Sequence, residues 1–456
     1  MADRVSLTEE YLNDVSTRGV KAAELVGKQP ESKLLNAFYQ GRFLSRPLFV
    51  GRAEQQQLHA DLENLRNALV SLPDRLFGGD VAAFARAVGM TDVQVSAIVR
   101  SRGTSVTRQT RADLYAEGAG FRLLEFNMGS ALGGMDNADM CREQLQHPLL
   151  ADFARRKGLG FVDTMREQVN NILVESGFTH DDHPVVALTD WPSSYTDLAP
   201  YMEQFCERWQ ALGLDAHPCH IGQLEVRDGR VWLGERPVDI ISRMFLIEDL
   251  LEYPEAPALM DPILDAAHRG EVKIFTPMDS EVFAGKGALA MLSDENNRSL
   301  FSADELTSLD RILPWTRMVR SGPVTTPTGE KADLVSYALA HRHELALKPT
   351  LLHGGSGVVL GWSPDVTDDG WRELIAGALD GPYILQQRVR PDVELFPDEA
   401  GELRPWTVAW GVFTVANGYG GGYARATTVE SGAEVVNTAT GAYAGPILHE
   451  TAAPQD

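Results

Sequence analysis

The stretch RADLYAEGAGFRLLEFN, residues 111–127, decides how the rest of the chain is read. It divides into two extended runs, Thr110–Ala116 and Phe121–Asn127, around a turn at Gly118-Ala119-Gly120. Side chains alternate between the faces of a strand, so the turn sets which residues meet. A two-residue loop puts Asp113 opposite Leu124 and sends Asp113 and Glu125 to opposite faces. A three-residue loop with one glycine at positive φ puts Asp113 opposite Glu125 and Arg111 opposite Asn127. The two glycines favour the odd loop. One face then carries Arg111, Asp113, Glu125 and Asn127. Two carboxylates and an amide oxygen are hard donors suited to Mg²⁺ bridged to phosphates. An arginine beside them stabilises charge on a transferring phosphoryl or acyl group. The plainer reading is a hairpin with a polar outer face. Against it, the second strand runs straight into MGSALGGMDNADM, a Gly/Ser-rich loop from Met128 to Met140 in which strands pair poorly.

Composition limits what that face can serve. The chain has 456 residues, 44% hydrophobic and 23% charged, which suits a globular protein of about three domains. No apolar run is long enough to span a bilayer, and no apolar segment follows a basic start. Three scattered cysteines, Cys141, Cys206 and Cys219, suit a reducing cytoplasm rather than a disulfide framework. The formal net charge of −23 repels nucleic-acid phosphates. It opposes a nucleotide site too, unless basic residues cluster locally, where screening over roughly 10 Å lets them prevail.

Upstream of the hairpin, residues Ser6 to Val99 read as helical. Ser6-x-x-Glu9 has the form of a capping box, and Leu58, Leu62, Leu65 and Leu69 recur at helical spacing within Glu54–Ser71. Asp80–Val88 and Thr91–Ser101 read as two shorter helices. Downstream, Asp136–Leu145 and Thr164–Glu175 read as helices. Pro184–Asp190, Leu198–Leu212 and Asp215–Cys219 make a βαβ-like unit. Asp228-Gly229 is the turn of a hairpin within Leu224–Leu233, and Val238–Phe245 is a buried strand with Arg243 near its end. His217-Pro-Cys-His220 matches the spacing of no closed zinc site. Asp261–Arg317 reads as helical, and Ser321–Gly329 as a turn-rich domain boundary.

A second constellation lies towards the C-terminus. Glu344–Pro349 reads as a strand with Lys348 at its end, running into Gly354, Gly355, Ser356 and Gly357. Such a loop lets backbone N–H groups close on phosphate oxygens, and Lys348 adds a point charge. Lys331 opens the preceding helix on this reading. The lysine precedes the glycines, so this is not a Walker loop. After a helix at Asp369–Leu379, the segment Pro382–Pro391, an extended run carrying Gln386 and Gln387 into a polar, proline-ended stretch, suits a purine held by backbone groups. Arg404–Thr414 is a long strand. Gly418–Arg425 and Val435–Thr440 follow as short segments carrying Arg425 and Asn437.

Taken in order, Arg-x-Asp, Glu-x-Asn, the βαβ-like middle, the Lys-Pro strand with its glycine loop and the Ile384-Leu-Gln-Gln387 hinge resemble the circularly permuted ATP-grasp proteins. These are the relatives of glutathionylspermidine synthase and eukaryotic-type glutathione synthetase, and the resemblance covers Thr107 to Asn437. It implies an α+β ATP-grasp fold in five parts: a helical region over 1–105, magnesium-binding strands and helices over 106–180, a substrate domain over 181–320, an ATP-binding lid over 321–450, and a tail. It implies ATP with two Mg²⁺ ions. Asp113, Glu125 and Asn127 would be the metal ligands and Arg111 the stabiliser of the acyl-phosphate and tetrahedral intermediate. Lys331, Lys348 and Gly354–Gly357 would meet the phosphates, and Gln386, Gln387 and Val389 the adenine. Related loops place an acid after Lys-Pro where this chain has Leu351-Leu352-His353, and Gln387 stands where many relatives have Glu.

The expected activity is ATP-dependent joining of a small-molecule or peptide carboxylate to an amine, with no nucleic-acid or membrane partner and a homodimer possible. Ser130, Arg243, Arg425 and Asn437 are the expected substrate contacts. Two rival expectations are an inactive ATP-grasp scaffold and a phosphotransferase using His353.

Overall fold

The computed structural model describes residues 4–19, 32–103, 106–129, 132–352, 354–398, 400–432 and 435–451. Its centre is an eight-stranded sheet. Six strands run in the spatial order Leu48–Val50, Tyr443–Glu450, Gly418–Thr428, Leu403–Val415, Thr110–Glu117 and Gly120–Asn127. The Leu48 strand is parallel to its neighbour and the rest are antiparallel. Two short strands, Val393–Pro397 and Leu159–Gly160, extend the sheet from Leu403–Val415 and Tyr443–Glu450.

Alternation along Thr110–Glu117 gives this sheet two faces. Ala112, Leu114 and Ala116 are buried in the largest hydrophobic core, shared with Leu58, Leu62, Leu65 and Leu69 of the helix Arg52–Val70. Arg111, Asp113 and Tyr115 line a cavity instead. Asp113 pairs with Glu125, and Arg111 with Asn127, as the odd-loop reading requires. The extra residue, however, is not in the turn. Glu117 pairs with Gly120 across a two-residue turn, and the register shifts between Asp113 and Leu114, whose partners are Glu125 and Leu123. Leu124 is a β-bulge, and it switches the strand's inward set from Phe121 and Leu123 to Phe126.

The middle of the chain forms a parallel sheet in the order Lys273–Phe275, Ile240–Arg243, Val185–Asp190, Asp215–His220. The βαβ unit is present, with its helix beginning earlier, at Pro192, and running to Ala211. Lys273–Phe275 lies inside the segment read as helical. Three residues on a sheet edge carry too little alternation to stand out from the helices around them. The Asp228-Gly229 hairpin forms between Leu224–Arg227 and Arg230–Leu233.

A smaller sheet, Thr316–Met318, Tyr383–Gln387, Leu345–Pro349 and Val359–Leu360, faces the central one as a lid. It takes in Thr316–Met318, upstream of the expected boundary, and the turn-rich Ser321–Gly329 is part of a hairpin whose strands are Pro323–Thr325 and Lys331–Asp333. Lys331 therefore sits on a strand, and the helix begins at Leu334. Ser6 lies inside the helix Arg4–Arg18 rather than capping it. Gly418–Thr428 is one long strand antiparallel to Leu403–Val415, not a short segment. Among the described residues no helix is long and apolar enough to cross a membrane.

The lid depends on one close approach. A Cβ on Gly361 would lie 2.1 Å from the Arg342 carbonyl oxygen and 2.8 Å from that of Leu345. Backbone cannot swing aside as a side chain does. Gly361→Ala is expected to cost about 1–3 kcal/mol, read as a lower urea midpoint. An unchanged midpoint would show that the lid tolerates the shift.

Candidate active site

Between the two sheets lies a cavity of about 560 Å³. Its floor is the polar face of the central sheet, and its chemistry centres on Asp113. Oδ1 of Asp113 accepts from Arg111 Nε at 2.8 Å and pairs with Arg425 Nη2 at 2.9 Å. Oδ2 accepts from Arg111 Nη2 at 3.0 Å and from Asn127 Nδ2 at 3.4 Å. Burial pushes the Asp113 carboxyl up, but Arg111 and Arg425 outweigh it and hold the group below the usual carboxylate range. Register places these side chains in one row, because Asp113 and Tyr423 both pair with Gly411. A Cβ at Gly411 would meet the Tyr423 ring at 2.7 Å and Arg111 Cδ at 3.3 Å, so the glycine leaves room for both. Arg111 Nη1 also donates to the Gly133 carbonyl at 3.0 Å, which ties the hairpin to the loop that follows it.

Glu125 is held by Lys286, Nζ to Oε1 at 3.0 Å. Lys286 Nζ also donates to the Leu352 carbonyl at 2.6 Å, bridging the hairpin to the loop after the lid strand. Lys348 Nζ donates to Gln386 Oε1 at 2.6 Å and to the Leu124 carbonyl at 3.3 Å. The bulge thus turns a peptide oxygen towards the lid lysine. Gln386 is fixed from behind, donating Nε2 to Thr316 Oγ1. It lines the cavity and positions Lys348 there. Burial and the neighbouring Lys286 push the Lys348 amine down to about 8, against the opposing pull of Glu125.

Six cations, Arg42, Arg111, Lys286, Lys348, Arg388 and Arg425, line this cavity against three carboxylates, Asp113, Glu125 and Glu281. Glu281 is already paired with the buried Arg243. A chain of net charge −23 has therefore gathered an excess of positive charge in one place. Arg425 Nε is buried without a hydrogen-bond partner among the described residues. An orphaned charged donor in such a cavity suits an anionic ligand.

Among the described residues no cluster of three or more His, Cys, Asp or Glu forms a closed metal cage. Mg²⁺ needs no such cage, because it keeps its waters and takes one or two carboxylates together with substrate phosphates. Glu125 and Asn127 fit that donor set, whereas both oxygens of Asp113 are engaged by Arg111, Arg425 and Asn127, which corrects its expected role as a ligand. Asn127 commits Nδ2 to the Arg111 carbonyl and Asp113, which leaves Oδ1 as its ligand atom.

Of the other residues singled out in the sequence, Gly354, Gly355, Gln387, Val389, Arg425 and Asn437 line the cavity. Asn437 Nδ2 donates to the Gly354 carbonyl at 2.7 Å and so closes the glycine loop onto the opposite wall. Ser356 and Gly357 are exposed on the loop's outer side. Lys331 does not reach the cavity. It is exposed and bonds Thr325 Oγ1 at 2.5 Å and Glu295 at 3.2 Å. Arg243 is behind the wall, donating to the Thr276 and Phe245 carbonyls and to Glu281. Ser130 and His353 lie outside the described residues. The backbone N–H groups of Gln387 and Arg388 are taken by the Trp315 and Glu344 carbonyls. The next one, at Val389, bonds to nothing among the described residues, so the expected purine contact narrows to that residue. Sequence reading missed Lys286. Its signal was a single lysine between glycines in the apolar run VFAGKGALAML, residues 282–292, where a charge is buried only for a reason.

No protein-family profile and no curated protein sequence matches this chain. Among solved structures it is similar to a glutathione synthetase-like effector from Globodera pallida in its apo form. The TM-score is 0.59 at 11% identity, over 98% of each chain. The chain has the fold of a glutathione synthetase-like protein. Weaker likenesses are to a putative gamma-glutamylcysteine synthetase from Methylobacillus flagellatus, with TM-score 0.40, 12% identity, and 80% of this chain and 82% of that one covered. A third is to D-alanyl-alanine synthetase A from Vibrio cholerae, with TM-score 0.24, 12% identity, and 50% and 67% covered.

The lysine gives a test that needs no substrate. Below about 8 the Lys348 amine is charged, and above it the charge is lost. Affinity for inorganic tripolyphosphate is expected to fall about tenfold between pH 7 and 9, measured by calorimetry. In Lys348→Arg the charge persists and the fall should vanish. A fall of equal size in that variant would assign the titration elsewhere.

Proposed function

We propose that this protein is an ATP-dependent carboxylate–amine ligase working through an acyl-phosphate, with a permuted ATP-grasp arrangement. The observation that carries the proposal is the cavity's charge: six cations in an acidic chain, arranged as Lys286 and Lys348 beside Glu125, then Arg111 and Arg425 around Asp113. That layout suits a polyphosphate lying across the lid lysine with its terminal phosphoryl group at the arginine pair.

On this reading Ala346, Leu360, Trp362 and Val389 form the purine end of the cavity. Trp362 is packed under the Arg388 guanidinium at 4.4 Å, a flat and partly cationic wall. Lys348, held by Gln386, and Lys286 meet the phosphates. Glu125 and Asn127 would hold Mg²⁺, whose chemistry there would be to neutralise phosphate charge and polarise the terminal phosphoryl group. A substrate carboxylate oxygen bonds to the γ-phosphorus as the bond to the bridging oxygen breaks, giving ADP and an acyl-phosphate. An amine then adds to the acyl carbon, loses a proton and expels inorganic phosphate, leaving an amide. Both steps build negative charge on oxygen beside Arg111 and Arg425. The arginines are held in place beforehand by Asp113, so they need no reorganisation as the charge develops. Positioning and charge stabilisation do the work, which accounts for a site rich in Arg and Lys without a nucleophile–base pair.

Product analysis tests this. Incubation with MgATP, hydroxylamine and pooled amino acids and short peptides is expected to give ADP and a hydroxamate. AMP with pyrophosphate would mean adenylation and overturn the proposal. Glu125→Gln should lower ADP formation by about 10²–10³-fold at an unchanged melting temperature. Asp113 is the poorer residue to test. Its removal strands two buried arginines and costs about 3–5 kcal/mol of stability, so lost activity there has a second explanation.

A further inference from the structure

The end of the cavity away from the lid is closed by a part of the chain that the hairpin chemistry does not use. Phe38 and Arg42, from the helix Lys33–Tyr39 and the turn after it, line the wall with Leu132, Gly133 and Tyr423. Gly133 links this end to the reacting centre, since its carbonyl receives Arg111 Nη1.

Arg42 differs from Arg111 and Arg425 in having no carboxylate partner among the described residues. Arg111 and Arg425 are committed to Asp113. The Arg42 side chain makes one bond among the described residues, Nε to the Tyr39 carbonyl at 3.3 Å, which leaves both Nη groups uncommitted.

Its backbone is nevertheless fixed. The Arg42 N–H donates to the Tyr39 carbonyl at 3.0 Å, and the Arg42 carbonyl accepts from Ala444 N at 2.9 Å, which pins the turn to the central sheet. Tyr39 is fully buried, and its hydroxyl donates to Asp136 Oδ1 at 2.9 Å. Beside Arg42, Phe38 is 36% exposed, with its ring 4.9 Å from that of Tyr39 and 5.4 Å from that of Tyr201. An anchored guanidinium fork with an apolar face next to it is a ready receptor for a carboxylate on a short carbon chain.

We propose that Arg42 is a specificity-determining residue that binds a second, unreacted carboxylate of one of the two organic substrates. The site then takes either a dicarboxylate acyl donor or an amino-acid or peptide acceptor with a free carboxyl terminus. Both present the same group to Arg42. The inference rests on the ligase reading for where the reaction occurs, but the binding it describes is measurable without turnover.

Binding is measured in the presence of Mg²⁺ and a non-hydrolysable ATP analogue. The donor probes are succinate and glutarate beside succinamate and glutaramate. The acceptor probes are glycine and glycylglycine beside their amides. The wild-type protein is expected to prefer the carboxylate over the amide in one of the two sets, and that set names the source. Arg42→Ala should erase the preference, weakening the carboxylate form about tenfold or more, and Arg42→Lys should restore part of it. Affinity for the nucleotide analogue should not change, which controls for folding. Equal affinity of carboxylate and amide forms for the wild type, no binding of any probe, or equal weakening of both forms in Arg42→Ala would each overturn the proposal. A preference for carboxylates without hydroxamate formation would keep Arg42 in this role and sink the ligase reading. Hydroxamate formation without the preference would do the reverse.

Discussion

The Asp113 carboxylate, shared between Arg111 and Arg425, is the interaction on which the rest of the site depends. The three groups come from two strands, Thr110–Glu117 and Gly418–Thr428, that meet across Leu403–Val415 only after the sheet has formed. Two guanidinium groups held on a buried face would repel each other, and each would bear a desolvation cost of several kcal/mol if left unpaired. One carboxylate between them offsets both. It still leaves the group with a positive surplus, and that surplus is what makes the cavity attractive to an anion. Stability and function draw on the same contact, so the arginines can be rigid and yet under-neutralised.

Much of this was legible in the sequence because it followed from strand parity. Once Thr110–Glu117 is a strand, Arg111 and Asp113 must share a face, and apolar Ala112, Leu114 and Ala116 say which face is buried. The pairing of Asp113 with Glu125 was also legible, although its cause was not. Parity requires one odd residue between them, and the glycines in the turn were the obvious place for it. The chain puts it at Leu124 instead. Nothing in Leu123-Leu124 marks a bulge, because both residues are good strand formers. The difference is set by what surrounds them: Leu123 enters the core, while Leu124 lines the cavity and offers its carbonyl to Lys348.

What the sequence concealed is mostly long-range. Lys286 and Glu125 are 161 residues apart, and Arg42 and Ala444 more than twice that, so neither contact has a local signature. Lys331 shows the converse error. A lysine ahead of a helix and of a glycine loop has the right neighbours in sequence, but the hairpin Pro323–Thr325 and Lys331–Asp333 carries it to the outside of the lid, where Glu295 receives it. Gln386 is a subtler case. Its place in the cavity wall is as expected, but its bond to Lys348, 38 residues away, has no local signature.

The N-terminal region gains a role from the same geometry. From its sequence it is a set of helices with apolar spacing and no evident chemistry, and most of it does pack, as Leu58, Leu62, Leu65 and Leu69 do. The turn after Lys33–Tyr39 differs because its arginine has no carboxylate partner among the described residues. Tyr39 and Asp136 fix the helix end from below, the sheet edge at Ala444 fixes the turn from the side, and the guanidinium is left facing the cavity. Packing thus supplies the rigidity, and the uncommitted guanidinium would supply the selectivity. The central sheet and lid suit a polyphosphate of any owner, whereas this wall is where the chain's own choice of substrate would be made.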